Sequence, residues 1–299
     1  MGYLFSLISV FACTTKGFCG KKISAYTKEY RSAMLSNSLR MLLCIAIGAV
    51  FVIVDGGVAA FRADATVLLI SALSGVMTSL LVISWLFSVR RGAYMMVDVF
   101  ITLGVTVPII LSSIFFKEEI RLNQIIGLII LFSATFIMCS YNNQIKTKLS
   151  LSTFVLLVLT GLSNGLADFS QKLFVNKVGI EYVSTFNFYT YVFSALTLII
   201  VYAFSVVKEK GVGESIEAFK KSYLYIIIMA IALFMTSYFK TLAADHLTSA
   251  ELYPLNQGSL LILSTFMSAI FFGEKIKPKC VVGIVLTFAG LIVMNVLKF

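Results

Sequence analysis

Phe115-Phe116-Lys117-Glu118-Glu119-Ile120, with Gly127 seven residues beyond Ile120, returns later in the chain as Phe271-Phe272-Gly273-Glu274-Lys275-Ile276, with Gly283 at the same distance. At this offset of 156, residues 112–138 and 268–294 agree at 9 of 27 positions: Ser112, Ile114, Phe115, Phe116, Glu118, Ile120, Gly127, Phe132 and Met138 all recur. A copy that begins about halfway along the 299 residues means that one half was built from the other. In a chain this apolar, a duplicated half points to a transporter architecture.

The chain is 59% hydrophobic and 13% charged, where a soluble domain carries about 25% charge. With only three prolines, Pro108, Pro254 and Pro278, long uninterrupted helices are expected. The five cysteines, Cys13, Cys19, Cys44, Cys139 and Cys280, show no CxxC or metal spacing and read as small apolar helix residues. One histidine and scattered acids leave no material for a zinc site or a nucleophilic triad, so neither a metal nor another cofactor is expected. The net charge of +10 comes from short Lys/Arg clusters between apolar runs. They form no basic face with interleaved aromatics, which argues against a nucleic-acid partner and for a lipid bilayer. The start is apolar from Tyr3 to Cys13 with no preceding basic residue, which argues against a cleaved signal peptide.

Crossing the hydrocarbon core takes about 20 apolar residues. Ten stretches qualify: 3–24, 36–54, 67–88, 93–114, 123–141, 151–172, 183–207, 222–240, 250–272 and 280–297. The longer connections 25–35, 55–66 and 208–221 are expected in the interface or in water, since irregular backbone cannot face lipid. The predicted fold is all-α and polytopic, ten transmembrane helices in two five-helix repeats, residues 1–148 and 149–299, forming one integrated transmembrane domain. Five is odd, so the second repeat enters the membrane from the opposite side, and the repeats are inverted about a pseudo-two-fold axis in the membrane plane. The first and sixth spans also align weakly, Phe18-Cys19-Gly20-Lys21 over Phe169-Ser170-Gln171-Lys172.

Ten helices in two units, with a Phe-Phe-x-Glu-x-Ile turn before the last helix of each, resemble the drug/metabolite transporter superfamily, EamA-like branch, over essentially the whole chain. The resemblance implies a central cavity lined mainly by spans 1, 3, 4, 6, 8 and 9, with spans 5 and 10 peripheral, and it names no substrate. Small multidrug exporters of that superfamily place a coupling glutamate in the first span, eight residues before a lysine. Here Cys13 or Thr14 precedes Lys21 or Lys22 at that distance, and Asn164 precedes Lys172, so a multidrug cation antiporter of that type is disfavoured. The loops after odd-numbered spans hold more Lys and Arg than the even loops and termini, which by the positive-inside rule would put both termini outside. The resemblance implies termini on the cytoplasmic side of a cell (inner or plasma) membrane, and that reading is taken.

Polar residues inside spans supply the candidate site. Tyr94, Asp98, Thr102 and Thr106 step by four and make one polar stripe on the fourth span, which must face protein or water. It either lines the cavity or forms interhelical hydrogen bonds. Pro108 should kink that span and leave a carbonyl without its helical partner. Asn164, Asp168 and Gln171 repeat the theme on the sixth span. Asp168 has Lys16 of the first span as its simplest partner; alternatively Lys16 receives a substrate carboxylate or phosphate and Asp168 an ammonium or a proton. In the ninth span Glu251 and Pro254 suit a helix start, whereas Asn256 and Gln257 need amide partners that a polar ligand could supply. Tyr238 and the single tryptophan, Trp85, are an aromatic wall or, for Trp85, an interface anchor. Lys240, Arg90, Arg91 and His246 are expected near loops, where they would snorkel. Asn187 and Tyr191 are weaker candidates.

These residues suit a secondary transporter of a small polar metabolite, amino-acid-like or otherwise zwitterionic, working by alternating access as a monomer or homodimer with proton coupling or exchange. A nucleoside- or sugar-type transporter and a lipid-linked carrier flippase are the alternatives. No nucleophile with a base, no metal cluster and no filter-like loop suggests an enzyme or a channel.

Overall fold

The computed structural model describes residues 1–24, 26, 30–91, 94–139, 150–208, 213–273 and 278–296. Eleven α-helices follow one another among them: α1 (Gly2–Ser24), α2 (Tyr30–Gly56), α3 (Ala65–Arg90), α4 (Tyr94–Gly104), α5 (Thr106–Phe116), α6 (Leu122–Cys139), α7 (Leu151–Lys177), α8 (Val183–Lys208), α9 (Gly213–His246), α10 (Ser249–Phe272) and α11 (Pro278–Asn295). Short 3-10 turns at Val58–Phe61 and Ile180–Tyr182 join α2 to α3 and α7 to α8. Among the described residues nine segments are long and apolar enough to span a bilayer, α4 and α5 together making one, and Leu122–Met138 is a shorter tenth.

Three spans differ from the sequence expectation. The fourth is broken at Val105, between α4 and α5. Pro108 has no N–H to give to the carbonyl four residues back, which is that of Gly104, and the helix parts there. The stripe of Tyr94, Asp98, Thr102 and Thr106 is therefore not continuous: the Thr106 hydroxyl turns back onto the Leu103 carbonyl at 2.7 Å. The second span starts earlier, at Tyr30, and the eighth runs on to His246, because their flanking polar residues continue the helix out of the apolar stretch.

Packing follows a two-fold exchange of α1 with α7, α2 with α8, α3 with α9, α4–α5 with α10, and α6 with α11. The α1–α9 contact has its counterpart in α7–α3, α2–α9 in α8–α3, and α1–α10 in α7–α4 and α7–α5, while α2–α8 and α6–α11 pair across the axis. At the α6–α11 crossing a Cβ on Gly127 would run into Met294 and the Gly290 carbonyl. A Cβ on Gly283 would run into Met138 and the Ala134 carbonyl, the same four positions with the halves exchanged. Gly127 and Met138, both repeated in sequence, are thus repeated because each fits the other's copy.

The rest of the repeated motif has structural roles too. Lys117 and Gly273 occupy the same repeat position, and both end their helices in the left-handed region, φ 56° and 65°. Each donates its N–H to a repeated serine carbonyl, Ser112 or Ser268. A left-handed residue closes a helix by satisfying one of its last carbonyls. Elsewhere, α4 and α7 approach closely through Gly104, Gly161 and Gly165, where any Cβ would collide with the opposing backbone. The Gly104 carbonyl left by Pro108 lies against Gly165.

Candidate functional site

Contacts α1–α9, α9–α7, α7–α5, α5–α10 and α10–α1 close a ring of helices. One end of it is well defined. Gly2 at the start of α1 meets His246 and Leu247 at the end of α9, and the Asn123 amide at the start of α6 donates to the Met294 carbonyl at 2.9 Å near the end of α11. At this end α1 starts and α11 finishes, and the C-terminal ends of α5, α7 and α9 and the start of α10 gather there.

Lys172 near the end of α7 is buried and fully engaged. Its Nζ lies 2.9 Å from Glu118 Oε1 and donates to the Ala244 and Leu247 carbonyls, each at 2.8 Å. Glu118 Oε2 accepts the Ser249 N–H at 2.8 Å at the positive start of α10, and the Ser249 and Ser112 hydroxyls meet at 2.7 Å. The glutamate of the duplicated turn thus ties α5, α7 and α10 together. In the second half Glu274 lies outside the described residues. Lys21, which aligns with Lys172, reaches Ser268 Oγ at 3.4 Å and stands 4.3 Å over the Phe272 ring.

A turn deeper in α7, Asp168 makes an ion pair with Lys240 of α9, and the Tyr253 hydroxyl of α10 donates to the Asp168 carbonyl at 2.6 Å. The expected Lys16–Asp168 pair is not formed, because α7 contacts α9 on this side. Lys240 does not snorkel from a loop, since α9 continues past it to His246. The Gln171 amide nitrogen donates to Ser237 Oγ of α9 at 3.4 Å, while its Oε1 is buried with no partner.

Two expected residues join α4 to α10: Gln257 Nε2 donates to Thr102 Oγ1 at 3.3 Å, and Thr102 Oγ1 donates to the Asp98 carbonyl at 2.8 Å. Asn256 Nδ2 reaches Ser6 Oγ of α1 at 3.2 Å and the Leu252 carbonyl at 3.0 Å. Glu251 works at the helix start: its Oε2 accepts from the Thr248 N–H at 3.0 Å and the Thr248 hydroxyl at 2.9 Å, a capping box. The Asp98 carboxylate, Lys16 ammonium and Asn164 amide are partly buried and make no hydrogen bond or ion pair among the described residues. Trp85 packs at once on the cluster around Met41, Tyr191 and Phe234 and on that around Val97 and Leu157, so it lies between the two. Tyr238 stands in an aromatic group with Phe51 at 5.2 Å and Phe234 at 5.9 Å. The Tyr94 side chain lies outside the described residues.

Sequence reading missed Glu118, Lys172 and Tyr253. The first two had a visible signal, a glutamate repeated at the same offset as its turn and a lysine repeated in the weak alignment of the first and sixth spans. Tyr253 carried none.

These features define a class: a polytopic, all-helical membrane protein with two inverted halves and polar residues at the helix junctions. Residues 151–296, the second half of the chain, match the EamA-like transporter family, which supports a place in the drug/metabolite transporter superfamily. A solved structure titled only as the crystal structure of a protein matches with a TM-score of 0.74, covering 98% of this chain and 96% of its own at 14% identity, a likeness of fold. No curated protein matches the chain.

Proposed function

We propose that this chain is a secondary transporter moving a small polar metabolite, amino-acid-like or otherwise zwitterionic, by alternating access. The observation that carries the reading is a break in the two-fold contact pattern. The α7 helix packs on α9 through Asp168–Lys240 and Gln171–Ser237, and among the described residues α1 has no comparable contact with α3, its counterpart under exchange of the halves. Inverted halves can trade conformations, so the alternate state would bring α1 onto α3 and part α7 from α9. The ring would then open at the terminal end and close at the other. With the termini cytoplasmic, as the resemblance implies, this conformation faces outward.

Lys16, Asp98 and Asn164 offer an ammonium, a carboxylate and an amide that the protein itself leaves unengaged, a set that suits a solute carrying both charges. Asp168 and Lys240 work as the closure, released in each cycle. The test is uptake and counterflow of labelled solutes in proteoliposomes. Saturable uptake accelerated by unlabelled solute on the far side is expected, and Asp168→Asn should slow net transport by speeding loss of the closed state. Flux without counterflow would indicate a channel and sink the alternating-access reading. An Asp168→Asn protein with wild-type rates would remove the closure from it.

A further inference from the structure

Arg40 in the first half of α2 is 5% exposed, and its nearest hydrogen-bonding atom is the thioether sulfur of Met229 in α9, 3.5 Å from Nη1. That sulfur is a weak acceptor. Its Nε is buried with no partner, and Arg40 makes no ion pair among the described residues. The polar side chains beside it, Cys44 and Tyr191, bond to main-chain carbonyls, Cys44 Sγ to Ala230 at 3.4 Å and the Tyr191 hydroxyl to Leu233 at 3.1 Å, and neither accepts a hydrogen bond from Arg40 among the described residues. The other interior acids are committed elsewhere, Asp168 to Lys240, Glu118 to Lys172 and Glu251 to Thr248. Asp98 sits on α4, whose main packing is on α3, α5, α6 and α7, and it makes no ion pair among the described residues. Met229 also marks where α1 comes in, because a Cβ on Gly20 would lie 3.3 Å from its methyl. Lys16, one turn before Gly20 on the same face of α1, is a further cation without an ion pair among the described residues.

An arginine does not shed its proton, and a charge held in the interior without a counter-ion is strongly unfavourable. Inside a membrane such a residue marks a pathway or a ligand. We infer that Arg40, with Lys16 one turn from the Gly20–Met229 contact on α1, receives an oxyanion of the transported solute, a carboxylate or a phosphate ester, in the half of the molecule away from the termini. The planar guanidinium presents paired N–H donors that match two oxygens of either group. The inference rests on the transporter reading and adds that the solute carries an acidic group which the transporter does not neutralise by itself.

Thermal unfolding of the full chain in nanodiscs tests it, with succinate and L-glutamate as carboxylate probes, glycerol 3-phosphate and inorganic phosphate as phosphate probes, and succinamide and glycerol as neutral counterparts. A carboxylate or a phosphate ester should raise the wild-type melting temperature where its neutral counterpart does not. Which arm responds identifies the oxyanion. Arg40→Met should abolish that shift and melt, without ligand, no lower than wild type, since an apolar chain replaces an unpaired buried charge. Arg40→Lys should keep the charge and bind about tenfold more weakly, having lost the fork. The inference is overturned if no oxyanion shifts the wild type, or if ligand-free Arg40→Met melts well below it and so shows a structural partner. It is equally overturned if the neutral compounds protect as well as the acids. Failure of counterflow for every solute strikes the transporter reading, while the melting shifts still decide whether Arg40 holds an oxyanion.

Discussion

Across α6 and α11 the two halves meet as equals, whereas across α7 and α9 they do not. At the first contact Gly127 faces Met294 and Gly283 faces Met138, so one interaction is made twice. At the second, Asp168, Gln171 and Lys172 of α7 reach Lys240, Ser237 and the Ala244 carbonyl of α9, with no comparable packing of α1 on α3 among the described residues. A contact that stays the same when the halves exchange can act as a fixed axis. One that differs must be remade if they exchange, so under the proposed alternating access it would belong to the moving part. Sequence divergence follows the same division, because positions that meet their own copies are constrained together and positions that meet different partners are not.

The largest expected effect lies at the asymmetric end. Lys172→Met leaves Glu118 buried with only the Ser249 N–H, and removing one member of a buried pair costs about 3–5 kcal/mol. The Glu118→Gln/Lys172→Met double variant should recover much of that loss, in thermal unfolding of the purified protein. If the double variant is no better than Lys172→Met alone, the Ala244 and Leu247 carbonyls, and not Glu118, are what Lys172 serves.

Next come the axis glycines. Gly127→Leu and Gly283→Leu should destabilise by similar amounts, about 1–3 kcal/mol each from overpacking. The rescue should cross the halves: Met294→Ala relieves the side-chain part of Gly127→Leu, leaving the clash with the Gly290 carbonyl, and Met138→Ala relieves Gly283→Leu, while the reverse combinations do neither. Unequal costs or rescue by the wrong methionine would break the equivalence drawn above.

A smaller effect is expected at the start of α10. Glu251→Ala removes the capping box, worth about 1 kcal/mol, and should leave solute affinity and counterflow unchanged. A changed affinity would show that Glu251 faces solute as well as Thr248, moving it from the frame into the site.

The helices and their inversion were legible because hydropathy and a repeat offset are properties of the chain alone. The break at Val105 was legible as well, since Pro108 names the carbonyl it leaves behind. The partner of Asp168 was not. Spacing along one helix shows which residues share a face, but which helix lies opposite that face is set by packing in three dimensions. The repeat alignment offered Lys16 because α1 and α7 are copies; copies take equivalent places and need not touch. Arg40 was visible as a charge inside a span, but that it meets only the Met229 sulfur and no carboxylate depends on how α2 and α9 pack.

The smallest effect sets the halves against each other at one backbone position. Lys117 holds φ 56° where its copy, Gly273, holds φ 65°. A side chain in the left-handed region costs about 1–2 kcal/mol, and a glycine loses more freedom on folding, by roughly 0.5–1 kcal/mol. The difference favours glycine slightly, so Lys117→Gly should stabilise by a few tenths to about 1 kcal/mol and Gly273→Lys should destabilise by the same amount. Both shifts are measurable as opposite changes in melting temperature. If Lys117→Gly destabilises instead, the lysine side chain contributes something that its copy does without, and the two turns are alike in backbone only.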